Sequence, residues 1–175
     1  MQRQSVETVR TDALRLQRLG PTSRHVETLA GWEYAQWGDH EPGRRLDEAV
    51  GEFRGQCGEG GVPSVFVVLA GDTPVGMASL IADDMRDRPD LTPWLASVYV
   101  QPLWRGRGIA SWLVRRVEEE ARTHGVERLY LFTADRQPLY RRLSWQALEE
   151  TDYRGERVTI MLRRLPTAAD LAEPS

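Results

Sequence analysis

Lysine is missing from this chain: all 23 of its basic residues are arginine. A lysine nucleophile or Schiff base is therefore excluded within it. Cysteine is almost missing as well. The single thiol, Cys57, has no partner for an internal disulfide, which suits a reducing compartment. The three histidines, His25, His40 and His124, stand far apart, so no Cys/His spacing of a zinc site exists and no metal is expected. No apolar run approaches the roughly 20 residues that span a bilayer, and the first residues lack the apolar core of a signal peptide. A cytoplasmic protein without a membrane partner is the expectation.

What is present describes one ordinary domain. The chain has 175 residues, 41% of them apolar and 28% charged, enough for a normal core. The net charge of −3 is uneven: residues 1–100 carry 10 Arg against 15 acidic residues, and residues 101–175 carry 13 against 11. A nucleic-acid binder usually shows a dominant basic face, so no nucleic-acid partner is expected.

Hydrophobic patterning and turn residues divide the chain. Residues 1–13 are polar and expected to fray. Leu14, Leu16 and Leu19 alternate with polar residues and predict a first strand. Helices are expected from the Pro21-Thr22-Ser23 turn to about Trp37 and from about Arg44 to Gln56. Ser64–Ala70 and Pro74–Ala82 flank Gly71-Asp72 and predict a hairpin. Asp83–Pro93 is acidic and loop-like. Trp94–Val100 predicts a fourth strand, about Gly108 to His124 a helix that Gly125 ends, and Arg128–Thr133 a fifth strand. A short helix near Leu139–Leu143 precedes strands at about Gln146–Tyr153 and Arg157–Arg164. The expected organisation is a single α/β (α+β) domain over residues 14–165 with a small polar tail, 166–175.

The most informative stretch joins the fourth strand to the long helix: Ser97-Val-Tyr-Val-Gln-Pro-Leu-Trp-Arg-Gly-Arg-Gly-Ile-Ala. Its two glycines let the backbone approach a ligand closely. The helix that follows opens with amide N–H groups that have no intrahelical partner and sit at the positive end of the helix dipole. Such a turn suits an anion, and Arg105 and Arg107 add charge there. No Gly-Lys-Ser/Thr follows the glycines, so a nucleotide triphosphatase loop is not supported.

Arg105-Gly-Arg-Gly108-Ile-Ala110 fits the Arg/Gln-x-x-Gly-x-Gly/Ala signature of the GNAT family of N-acetyltransferases, and Val98-Tyr-Val-Gln-Pro resembles its fourth strand. Leu139-Tyr-Arg-Arg-Leu-Ser-Trp145 is similar to the family's Leu/Phe-Tyr-x-x-Leu-Gly-Phe segment. The resemblance runs from about Leu14 to Leu165. It implies the GNAT fold, a twisted, mostly antiparallel mixed sheet flanked by helices. It also implies acetyl-CoA as co-substrate, held in the splay between strands 4 and 5. Amides across Arg105, Gly106, Arg107, Gly108, Ile109 and Ala110 would take the pyrophosphate. The edge of Val98, Tyr99 and Val100 would pair with the pantetheine arm.

Tyr140 matches the family's tyrosine near the CoA sulfur and is the candidate acid; a phenol and a thiol have reference pKa values within about two units. Core packing of the short helix is the plainer role for it. No base is assigned. Phe132 stands where some relatives carry a glutamate on the fifth strand. Glu33 and the Asp83/Asp84 pair are possible bases, with a solvated face or loop the commoner role for such residues, and a water chain to bulk solvent would also suffice. Thr133 and Asp135 are the alternatives to a missing asparagine contact, with a helix cap the commoner job for Asp135. Ser144 replaces the usual glycine after the short helix, and Pro138 suits its first turn.

Trp32, Tyr34 and Trp37 suggest either core packing or an acceptor pocket. The acidic Asp83–Pro93 loop favours a cationic amine acceptor. A small-molecule amine, a peptide or protein amine, and a non-catalytic acyl-CoA sensor are the three readings, with a homodimer left open.

Overall fold

The computed structural model describes residues 13–38 and 41–172; His40 and nearly all of the segment expected to fray lie outside them. Seven strands form one sheet: β1 Leu14–Arg18, β2 Ser64–Ala70, β3 Thr73–Ile81, β4 Trp94–Val100, β5 Arg128–Thr133, β6 Gln146–Tyr153 and β7 Glu156–Arg164. Their order is β1-β2-β3-β4-β5-β7-β6. Every neighbouring pair is antiparallel except β4–β5, which is parallel and bridged only at Trp94 and Tyr130. This is the GNAT fold.

The side-chain alternation of the strands assigns the helices to faces. Val65, Val67 and Met77 turn to one face, where α1 (Val26–Trp37) and α2 (Leu46–Gln56) cover them with Leu29 and Phe53. Phe66, Ala78, Leu80, Leu129 and Leu131 turn to the other, under α3 (Ile109–Thr123) and α4 (Gln137–Arg142). The amphipathic α3 buries Leu113, Val114 and Val117 there. It lies so close that a Cβ on Gly76 would stand 3.0 Å from Ile109 and 3.2 Å from Leu113.

One irregularity decides the site. The β3–β4 register slips between Met77 and Ser79, and Ser97, left in the bulge, has φ +53°. A bulge inserts one residue and reverses the alternation beyond it. Trp94 and Ala96 pack on the α1/α2 face with Ile81, while Val98 and Val100 pack on the α3 face with Leu95. The bulge also bends β4 away from β5, so no pairing continues past Trp94.

Smaller departures from the sequence reading have local causes. The short helix starts at Gln137, because Pro138 is harmless in the first turn, and it stops at Ser144, which adopts φ +71°. Asp135 does not cap it: the cap position is Arg136, whose amide donates to Thr133 Oγ1 at 3.0 Å. The tail holds a short helix α5 (Ala168–Leu171), capped by Thr167 and Asp170 accepting from each other's amides. No helix of the described residues is long and apolar enough to cross a membrane.

Candidate active site

A cleft of about 1150 Å³ opens where β4 and β5 part. It passes through the sheet. On the α3 face it is lined by Arg105, Gly106, Gly108, Ile109, Ala110 and Tyr140, and on the α1/α2 face by Glu33, Trp37, Glu41, Asp84 and Arg154. Val98, Tyr99 and Val100 line it between the two halves.

The turn before α3 leaves its amides free and its surface open, a geometry that suits an anion. Gly106 and Gly108 have φ of +76° and +81°, and a Cβ on either would point into open space. The first helical bond runs from the Trp112 amide to Gly108 O at 3.0 Å, and the amides from Gly106 to Ser111 donate to no other backbone carbonyl among the described residues. The Arg105 amide does not join them: it donates to Pro102 O at 3.3 Å, closing the Pro102–Trp104 turn. The two arginine side chains are not loose surface groups. Arg105 Nε donates to Val100 O at 2.9 Å with its guanidinium 5.6 Å from the Tyr99 ring centre. Arg107 lies 4.8 Å from the centre of Trp104 and does not line the cleft.

The edge of β4 presents free backbone. Gln101 N–H donates to Val75 O at 2.8 Å, so by antiparallel alternation Tyr99 also faces β3 while Val98 and Val100 face the gap. Arg105 occupies the Val100 carbonyl, which leaves the Val100 amide and both Val98 groups for an extended partner.

Tyr140 reaches the gap from α4. It is 7% exposed, packs edge-on against Trp145 with ring centres 6.1 Å apart, and makes no side-chain hydrogen bond among the described residues. Burial, against a smaller opposite pull from Arg136, pushes its hydroxyl up to about 12. It is protonated at neutral pH, though less acidic than its sequence suggests.

The opposite half is acidic and crossed by ion pairs. Glu41, between α1 and α2, accepts from Arg86 at 3.1 Å and from Arg154 at 2.9 Å. Residues from three separate connections are thereby held together on this side of the cleft. Arg44 pairs with Glu52 at 2.6 Å and reaches Glu33 at 3.8 Å. Burial raises the Glu33 carboxyl, with Arg44 pulling it back and Glu52 and Glu41 adding to the rise. Asp84 is half-buried in the cleft wall; burial and the neighbouring Glu33 charge outweigh Arg154 and push it up to about 7.

Asp83 is exposed. Trp37 lines this half, whereas Trp32 packs tilted against Tyr99 with ring centres 5.4 Å apart and Tyr34 donates to Arg44 O at 3.0 Å, so only one of the three aromatics reaches it. Phe132 packs against Trp94 and Tyr153 at 6.1 and 5.4 Å. Sequence reasoning missed Glu41 and Arg154, since 113 residues separate them and no local pattern joins them.

Comparison with known proteins agrees with this geometry. The chain superposes on an acetyltransferase of the GNAT family from Streptococcus pneumoniae with TM-score 0.67 at 16% identity, covering 87% of this chain and 99% of that one. A Salmonella typhimurium protein solved with its cofactor acetyl-CoA gives 0.66 at 17% identity, covering 93% and 98%. Aminoglycoside 6'-acetyltransferase type Ii gives 0.68 at 15%, covering 86% and 97%. No curated protein sequence matches. At such identities the structures speak for the fold alone, but the sequence profile of the acetyltransferase (GNAT) family matches residues 26–145. This chain belongs to that family and is an acetyl-CoA-dependent acetyltransferase.

Proposed function

We propose that this enzyme transfers the acetyl group of acetyl-CoA to a primary amine of a small cationic molecule in the cytoplasm. The observation that carries this reading is the cleft through the sheet, with a turn of free amides on one face and an acidic half on the other. Acetyl-CoA supplies the thioester, whose acetyl carbon bonds to the amine nitrogen as the carbon–sulfur bond breaks.

The residues fit that co-substrate. Gly106 and Gly108 leave space over free amides that continue through Ile109 and Ala110 to the start of α3, which suits a pyrophosphate. Val98 and the Val100 amide offer strand-like bonds to the amides of a pantetheine arm, and Tyr99 anchors the strand by pairing with Met77. Arg105 acts through its side chain, fixing the end of β4. Arg107 contributes charge from outside the cleft. Tyr140 holds a hydrogen bond on the departing sulfur. Full proton transfer from a hydroxyl at about 12 to a thiolate near its reference value costs about 5 kcal/mol, well within reach of a turnover step.

The Glu41 tie across Arg86 and Arg154 favours a small molecule over a peptide, which would need an open groove. The test is thiol release from acetyl-CoA with polyamines, aminoglycosides, amino acids and short peptides, beside calorimetry with acetyl-CoA. Release driven by small polycations is expected. Release driven only by peptides would replace the acceptor class, and absence of acetyl-CoA binding would overturn the reading.

A further inference from the structure

The strand that carries a carboxylate in some relatives offers none here. On β5 the side chains facing the α1/α2 side are Tyr130 and Phe132, both packed in an aromatic cluster with Trp94. An amine that arrives as an ammonium ion must nevertheless lose a proton before its lone pair can bond to the acetyl carbon.

The carboxylates of this half differ in how they are engaged. Glu41 is bonded to two arginines, Glu52 is bonded to Arg44, and Glu33 faces the same Arg44. Asp84 and its neighbour Asp83 both line the cleft and make no ion pair or side-chain hydrogen bond among the described residues, but Asp83 is exposed to solvent and only Asp84 is half-buried. Its position is also distinctive. It lies on the connection leaving β3 at Ile81, and Ile81 pairs with Trp94, the residue at which β4 and β5 separate.

We infer that Asp84 is the proton acceptor for the incoming amine, on the opposite face of the sheet from Tyr140. This rests on the acetyl-transfer reading above. The step balances: the ammonium gives one proton to the carboxylate, leaving a neutral amine and a carboxylic acid. The acid then returns its proton to water through the cleft. The electrostatics suit the task. Glu33 on α1 opposes ionisation of Asp84, and Arg154 on the β6–β7 turn favours it. Arg44, Glu41 and Arg86 surround this pair. A carboxyl held at about 7 is divided between its two forms near neutrality, where a general base works best.

The experiment is carbon-13 NMR of the full chain labelled at aspartate carboxyls, titrated in wild type, Asp84→Asn and Glu33→Gln. One resonance with a midpoint near 7 is expected, absent in Asp84→Asn and moved lower in Glu33→Gln. If no aspartate titrates above about pH 6, or if the high resonance survives in Asp84→Asn, the assignment is overturned. Acetyl-CoA calorimetry on the same proteins separates the two claims. Equal affinity in wild type and Asp84→Asn is expected, and no binding to either would overturn acetyl transfer itself. With spermidine as probe, Asp84→Asn should lower kcat/KM roughly 100-fold at pH 7 and abolish the acid limb of its pH profile. An unchanged rate and limb would refute the role, and if wild type releases no thiol with spermidine the resonance decides.

Discussion

Replacing Glu120 by glutamine should destabilise the protein by about 3 kcal/mol at pH 7 and by less as the pH falls. Glu120 is 4% exposed on α3 and holds that helix to the opposite end of the sheet. Its Oε1 accepts from Arg18 of β1 at 2.5 Å and from the Gly61 amide at 2.8 Å, while Oε2 meets Arg116 at 3.0 Å. The two guanidinium groups also lie over the Phe66 ring, at 5.1 and 4.4 Å from its centre.

Burial alone would raise the Glu120 carboxyl. The Gly61 amide and the two arginines outweigh it and hold the group down at about 2, against 4.5 for an ordinary glutamate. That difference is worth about 3 kcal/mol when the unfolded chain is fully ionised. A depressed carboxyl stabilises above its unfolded pKa and loses that contribution as pH falls toward the folded one. The contribution is thus complete at pH 7, near about 2 kcal/mol at pH 3.5, and gone below pH 2.

The assay is urea denaturation of wild type and Glu120→Gln at several pH values between 7 and 3.5. Glutamine keeps the shape and one acceptor, so the difference reports the charge. Equal stability at pH 7, or a gap that does not narrow with acid, would refute the reasoning. Because the cradle lies at the other end of α3, acetyl-CoA affinity of the folded variant should change little.

Tyr140→Phe should lower turnover at least tenfold while leaving acetyl-CoA affinity within about twofold, measured by thiol release and calorimetry. Unchanged turnover would reduce Tyr140 to a packing residue. Gly108→Val should weaken acetyl-CoA binding by calorimetry and lower the melting temperature, because a β-branched residue at φ +81° costs at least about 1–2 kcal/mol. Undiminished affinity would remove the turn from the site. Asp84→Asn should melt higher than wild type at pH 8 and not at pH 4. The unfolded carboxyl ionises above its usual 3.8 while the folded one stays protonated up to about 7, so the cost grows across that window and is complete above it.

The sequence showed the strand–turn–helix around Arg105–Ala110 because every feature of it is local: apolar alternation, proline, glycines and helix periodicity lie within one window. Tyr140 was readable for the same reason, on a short helix marked by Pro138 and followed by a strand. Asp84 was visible only as one of several acids in a loop. Its distinction is that Glu33 faces it while the arginines nearby pair elsewhere, and that arrangement comes from three remote connections. The bulge was hidden altogether. Trp94–Val100 reads as an unbroken strand, and nothing in Ser97 announces φ +53°. Only the slip against Ser79 in β3 reveals that Val98 and Val100 have changed faces.

That hidden bulge connects Tyr140 to Asp84, the acid and the base proposed above. With regular alternation Val98 would share the face of Trp94 and Ala96, and β4 would continue its pairing with β5. Instead the strand turns aside, its backbone is freed, and the cleft joins both faces of the sheet. The two titratable groups then feel one environment from opposite sides. Burial is the first cause of both shifts: it keeps the Tyr140 hydroxyl protonated and brings the Asp84 carboxyl up to the range of a neutral-pH base. Admitting water would pull both back, so the acid limb of activity should move to lower pH whenever the Glu41 tie is loosened. Glu41→Gln, which removes the charge binding Arg86 and Arg154, should shift that limb downward. An unmoved limb would show that Glu41 holds the mouth without keeping it dry.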